Sequence, residues 1–272
     1  MNMKKIIPFL LAMFVLTSCS SVMLTGRKQL LLVSDGELRE MSFASYKELK
    51  DSVPLSTNAN NTAMVKRVGQ KIAKAVEDFM IANGMDEEVA GYEWEYNLFK
   101  VNQANAFAMP GGKIAVYEGI LPLTQDENGL AVVMGHEVAH VIAKHSAERV
   151  SHQMAAQYGG AILGAVVGGK SAATQNVVGA VYGIGMQAGV LLPFSRKQEL
   201  EADELGLYFM AMAGYDPRAA IPFWERMASG GGAQVPEFLS THPSDQKRVE
   251  RLTQAVPIAL QFYNTGMIPS IK

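Results

Sequence analysis

Two histidines four residues apart, with a glutamate directly after the first, make Gly135-His136-Glu137-Val138-Ala139-His140 the stretch of this chain best suited to chemistry. On a helix of 3.6 residues per turn such positions are separated by about 40°, so both imidazoles can reach one metal ion. Glu137 projects from the next position, toward the open side of that ion. The spacing HExxH holds Zn²⁺ through its histidines and uses the glutamate as general base on a water, the chemistry of metal-assisted peptide hydrolysis. A two-histidine site needs a third protein ligand and a fourth position left for water. Glu199-Leu200-Glu201-Ala202-Asp203 can supply the ligand. Glu199 and Asp203 share a helix face, whereas Glu201 points about 160° away from Asp203. Glu199 is therefore assigned to a single zinc ion, and Asp203 to orienting a zinc-bound histidine through its other ring nitrogen. His145, five residues past His140, is rotated about 140° round a continuous helix and is read as structural.

These residues need a scaffold, and the flanking sequence describes one. Leu130 to Met134 and Val138 to Ile142 are apolar nearly all round, as suits a helix buried in a core, and Thr124 with Glu127 forms a capping box at its start. Ahead of it, Tyr92, Trp94 and Tyr96 alternate with polar residues as in a half-buried strand. Leu98 to Ala108 continues extended, Pro110-Gly111-Gly112 turns the chain, and Lys113 to Tyr117 returns, giving a small antiparallel sheet. Asn105, Ala106, Phe107 and Ala108 are the candidate edge along which an extended substrate backbone could lie, with an ordinary core hairpin as the competing reading. Two further helices precede the sheet. One is opened by Ser34 and Glu37 and runs to about Leu49. The other runs from near Thr62 to Asn83 with Val65, Val68, Ile72, Val76 and Phe79 at helical spacing. Between residues 155 and 192 glycine, alanine and valine dominate, which favours a tightly packed helical hairpin beside the site over a membrane span. Asp216-Pro217 starts another helix, and a last one runs from about Ser244 to Thr253.

Composition narrows the partners. The net charge is -2, with 24 basic and 26 acidic residues, so no general attraction to nucleic acid or to an anionic membrane is expected. The 49% hydrophobic content over 272 residues is enough for a full core. One cysteine, Cys19, excludes an internal disulfide and a cysteine-rich zinc module. It ends a short basic start and the apolar run Ile6 to Leu16, a pattern of export. Leu16-Thr17-Ser18-Cys19 resembles a bacterial lipobox, which makes residues 1–18 a signal peptide and Cys19 the lipidated first residue. Ser20 rather than aspartate follows, which favours the outer membrane. Residues 19–34 then read as a lipidated tether that includes a short extended stretch.

His136-Glu137-Val138-Ala139-His140 through His145, Ser195-Arg196 with Glu199 to Asp203, and Thr241-His242-Pro243-Ser244 with Arg248 together resemble the peptidase family of HtpX, BepA and the mitochondrial quality-control protease Oma. Thr25-Gly26-Arg27 and Asn105 to Gly112 resemble its secreted lipoprotein branch. The resemblance runs from about Thr25 to Arg251. It implies a mainly α (α+β) zincin or gluzincin-like domain over residues 35–265, followed by a tail at 266–272. Neither the membrane helices of HtpX nor the helical repeats of BepA are expected. The resemblance also implies Glu199 as third ligand, His242 as a regulatory fourth ligand, and Arg248 as a residue holding substrate or the active-site loop. The implied function is a zinc endopeptidase of the bacterial envelope, lipid-anchored and facing the periplasm, acting on misfolded or unassembled envelope proteins. Two other readings are a chaperone with structural zinc and a lipid-anchored binding protein. Zinc-dependent cleavage of an unfolded protein separates the first reading from both.

Overall fold

A computed structural model describes residues 19–22, 25–167, 192–229, 238, 242 and 246–270. The expected signal segment and most of the expected glycine-rich hairpin lie outside the described residues. In chain order the elements are β1 (Cys19–Ser21), β2 (Lys28–Leu30), α1 (Asp35–Ser52), α2 (Ala59–Ala82), α3 (Asp86–Val89), β3 (Glu95–Phe99), β4 (Ala106–Met109) and β5 (Lys113–Tyr117). They continue with α4 (Leu121–Thr124), α5 (Glu127–Ile142), α6 (His145–Val167), α7 (Leu192–Met212), α8 (Ala220–Ser229) and α9 (Gln246–Thr265). The chain divides into two compact units, Met1–Glu37 with Lys144–Gln198 and Leu38–Ala143 with Glu199–Lys272.

The second unit carries the core. In α2, Val65, Val68, Ile72, Val76 and Phe79 are all fully buried, and the helix packs on α5. It begins earlier than its apolar spacing predicts, because Asn58 accepts a hydrogen bond from the Asn61 N–H at 3.1 Å and caps it. α5 is buried continuously from Gly129 to Ile142. The capping box expected at Thr124 does not form. Gln125 adopts φ 67° and ends α4, so Asp126 takes the cap by accepting from the Gly129 N–H at 2.9 Å.

The sheet has the order β3-β5-β4. β4 and β5 form the expected antiparallel pair, turned through Gly111 and Gly112 at φ 85° and 89°, a backbone conformation that glycine adopts without strain. β3 joins the other side of β5 in parallel, which makes the sheet mixed. The chain leaves the sheet after Phe99 and returns at Ala106 on the other side of β5, so β3 and β4 are not neighbours. Tyr92, Trp94 and Tyr96 stack in a row at centroid distances of 4.9 and 6.4 Å, and only Tyr96 lies within a strand. α9 runs on through Pro257 to Thr265, beyond its expected end near Thr253.

In the first unit the expected tether is an ordered hairpin, with Cys19 paired to Leu30 and Ser21 to Lys28. The Arg27 guanidinium donates to both carboxylate oxygens of Glu148, at 2.7 and 2.8 Å, and Gln198 donates to the same group at 2.9 Å. The Leu32 N–H donates to Ser151 Oγ at 2.7 Å. His145 is fully buried and outside the four-donor group, but a continuous helix is not what turns it away. The helix ends at Ile142, Lys144 adopts φ 56°, and His145 begins a new helix. No helix among the described residues is long and apolar enough to cross a membrane.

Candidate metal centre

The site lies in the second unit, where α5 and α7 cross. Gly135 and Gly206 set how closely they do so: a Cβ on Gly206 would lie 2.7 Å from the His136 backbone nitrogen, and one on Gly135 would lie 2.7 Å from the Gly206 carbonyl oxygen. Bare backbones let the face of α7 carrying Glu199 and Asp203 approach the two histidines of α5. His242, beyond α8, completes the group.

His136, His140, Glu199 and His242 are all buried, and each offers one donor atom within 4.8 Å of the others. His136 Nε2 is 3.1 Å from His140 Nε2, 3.1 Å from His242 Nδ1 and 3.3 Å from Glu199 Oε2. His140 Nε2 is 3.4 Å from Glu199 Oε1. Four ligands at about 2.0–2.1 Å from one ion in a tetrahedron stand about 3.3 Å apart, so these separations match a shared Zn²⁺. Ring nitrogens that face each other so closely need a cation, or protons, between their lone pairs. The donor set of imidazoles and one carboxylate also suits zinc.

The field around the group favours positive charge. Burial pushes the Glu199 carboxyl up, but hydrogen bonds from three histidines outweigh it and hold the group far below the ordinary carboxylate range. Burial pushes His136 down, yet Asp203 and Glu199 raise it to about 9. The same pull that keeps a proton on His136 favours a metal ion in its place.

Asp203 Oδ1 is 2.9 Å from His136 Nδ1, an ion-pair contact on the ring nitrogen turned away from the other donors, at an angle outside that of a regular hydrogen bond. Burial raises the pKa of Asp203 and Arg248 more than offsets this, leaving it lowered. The Arg248 guanidinium donates to both Asp203 oxygens at 2.6 Å and to the His242 carbonyl at 3.1 Å, and lies 3.7 Å over the Trp224 ring. Arg248 is 2% exposed. The bond to the His242 carbonyl ties Arg248 to the His242 segment. Glu201 is also buried, but it is not in the four-donor group.

Glu137 is buried beside the donors, and burial raises its pKa, while the Ala108 N–H of β4 donates to it and favours its charged form. Its Oε1 is 3.4 Å from His242 Nε2. β4 is the edge of its sheet among the described residues. Tyr117 N–H bonds the Asn105 carbonyl, so by antiparallel alternation the backbone groups of Ala106 and Ala108 point outward from the sheet. The Asn105 side chain accepts from the Ala106 N–H at 2.9 Å. Phe107 packs into the cluster of Tyr46 and Phe99, so β4 offers its backbone at this edge and not the Phe107 ring.

The periodic motifs carried no sign of Trp224 and Phe238. Phe238 stacks on Trp224 at 5.9 Å and lies tilted against His242 at 4.7 Å, and both aromatics stand edge-on to His136. They wall the metal group with apolar surface. Only their position near Asp216-Pro217 and Thr241-His242-Pro243 could have drawn notice.

A mainly helical domain with a small sheet beside an HExxH helix, and a carboxylate ligand from a following helix, is a gluzincin-type metal-binding domain. Residues 64–256 match Peptidase family M48, and the chain belongs to that family. Mitochondrial metalloendopeptidase OMA1 of Schizosaccharomyces pombe is 37% identical over 69% of this chain and 53% of its own length. Human metalloendopeptidase OMA1 is 28% identical over 97% of this chain and 51% of its own length. The beta-barrel assembly-enhancing protease of Escherichia coli is 26% identical, covering 82% and 46% respectively. The chain thus spans about half the length of these curated relatives. Residues 3–20 match a prokaryotic membrane lipoprotein lipid attachment site.

Proposed function

We propose that the chain is a zinc-dependent endopeptidase, anchored by lipid at Cys19 in the bacterial envelope, most consistent with the outer membrane. The observation that carries the peptidase reading is the buried group of His136, His140, Glu199 and His242 with Glu137 against it and the edge of β4 alongside. The zinc, when bound, acidifies a water and polarises the scissile carbonyl. His136, His140 and Glu199 would hold the ion, and Asp203 would orient the His136 ring. Glu137 takes the proton from the attacking water and passes it to the leaving amine, a role for which a carboxyl raised by burial is suited. The substrate backbone lies along β4, where the outward carbonyls of Ala106 and Ala108 accept its N–H groups. Misfolded or unassembled envelope proteins, whose chains are extended, are the substrate class this edge would accept.

His242 closes the site at rest. It touches Glu199 at 2.8 Å and Glu137 at 3.4 Å, so it fills the space between ligand and base that water and substrate need. The Phe238 N–H also bonds the Ala104 carbonyl, at the approach to β4. His242→Ala should therefore raise basal peptidase activity with zinc still bound. Unchanged or lower turnover would assign His242 to structure or substrate binding.

Glu137→Gln tests the reading as a whole. Loss of a general base costs about 10²–10⁴ in turnover. Hydrolysis of unfolded protein should fall by that factor while metal analysis still finds one zinc per chain. Full turnover in the variant would remove Glu137 from the mechanism.

A further inference from the structure

The residues after the lipid-attachment cysteine leave almost no slack. The Cys19 backbone pairs with Leu30, Val22 is 2% exposed, and the Val22 N–H bonds the Arg27 carbonyl at 2.7 Å. Arg27 is then forked onto Glu148, Leu32 bonds Ser151, and Asp35 pairs with Lys144 at 2.7 Å. The hairpin and the residues after it are thus fixed at three points to the first two turns of α6 and the residue before it. A flexible linker of about 30 residues would let a domain roam about 30 Å from its anchor. This chain has no such linker among its described residues after Cys19: Cys19 to Ser21 pair with Lys28 to Leu30, and the Val22 and Gly26 N–H groups bond the Arg27 and Val22 carbonyls.

The clamp also reaches the metal group through the chain itself. α6 follows α5 after only Ala143 and Lys144, so His140 lies five positions before the helix that holds the hairpin. By chain path alone, the His140 backbone stays within on the order of 40 Å of the Cys19 backbone, whatever the arrangement of the two units.

We infer that the β1–β2 hairpin is a rigid mooring that keeps the catalytic centre at the bilayer surface, so that its substrates are polypeptide segments lying on or emerging from a membrane. This rests on the peptidase reading and on acylation of Cys19. The Arg27–Glu148 fork is the central fixture. Soluble chains that diffuse far from the surface are outside the reach of an enzyme held in this way.

The experiment compares the full chain with a form carrying a Gly/Ser linker of about 30 residues between Ser20 and Ser21, which leaves the acylation site intact. Both are reconstituted in vesicles of phosphatidylethanolamine and phosphatidylglycerol. Cys19 is the chain's one cysteine and is consumed by acylation, so Tyr158→Cys or Ile258→Cys, at exposed positions, accepts a single donor dye. Energy transfer to dye-labelled headgroups should be strong for the natural chain and should report a shift outward by about 30 Å with the linker. Equal transfer in the two forms overturns the mooring. In the same vesicles, single-span reporters with an unfolded segment at graded heights should be cut to about 40 Å by the natural chain, and farther by the linker form. A cutting range that the linker does not move also overturns it. Should zinc-loaded protein fail to cut unfolded protein even in detergent, the peptidase reading falls, and the energy-transfer result alone still decides the mooring.

Discussion

Arg27 grips Glu148 through its two terminal nitrogens and Arg248 grips Asp203 through Nε and one terminal nitrogen, at 2.7 and 2.8 Å in one case and 2.6 Å twice in the other. Both carboxylates are buried, and each has one further side-chain partner among the described residues. For Glu148 that partner is the Gln198 amide, at 2.9 Å, which neither titrates nor binds metal. For Asp203 it is the His136 ring, at 2.9 Å, whose other nitrogen faces the metal group. A buried arginine fork is thus not in itself a sign of function. Its role follows from the group at the far side of the carboxylate: an amide makes it a fastening, and an imidazole in contact with a metal makes it part of the site.

The comparison is tested most strongly at the ligand itself. Glu199→Gln removes a charged donor from the group and should weaken zinc binding by more than the 10 to 100-fold typical of an outer partner. Asp203→Asn keeps the shape but loses the charge that fixes His136, and should cost about 10 to 100-fold in zinc affinity. Competition with a chromophoric chelator reads both. If Asp203→Asn bound zinc as the natural chain does, the two forks would be equivalent and the distinction drawn above would fail.

The opposite pattern is expected for the other fork. Arg27→Ala leaves the Glu148 charge buried without its guanidinium. Since Arg27 is itself about one-fifth exposed, the loss should sit at the lower end of the range for broken buried pairs, about 3 kcal/mol. Urea unfolding should register that loss while the zinc affinity of the folded protein stays constant. A parallel fall in zinc affinity would show that this fork also supports the metal.

What was readable in the sequence follows the range over which each feature is encoded. His136, Glu137 and His140 fall within one and a half helical turns, and Glu199 with Asp203 within the same span, so a period of 3.6 was enough to place them on common faces. The sheet's antiparallel pair was legible for the same reason, since alternation and a Pro-Gly-Gly turn are local. His242 lies 106 residues from His136 with no period linking them, and only resemblance pointed to it. Trp224 and Phe238 meet the site through tertiary packing alone. The parallel β3–β5 pairing depends on where the chain re-enters the sheet, which alternation cannot state. The displaced cap on α5 is a local feature missed for a local reason: Asp126 and Thr124 are both good caps, and the left-handed turn at Gln125 chooses between them.

The smallest expected effect separates two neighbouring carboxylates. Glu199 and Glu201 are two positions apart on α7, and two positions turn a helical side chain by about 200°. Both are buried, so burial alone would not tell a ligand from a bystander. Glu199 belongs to the four-donor group, and Asp203, one turn further along the same face, contacts His136. Glu201 lies on the opposite side, and Glu201→Gln, which keeps its size and removes only its charge, should leave zinc affinity within about twofold of the natural chain. Isothermal titration of both variants with zinc, side by side, reads the difference. A loss at Glu201 equal to that at Glu199 would mean that the metal responds to the total charge of α7 rather than to the face that a carboxylate occupies, and the contrast between the two forks would lose its geometric basis.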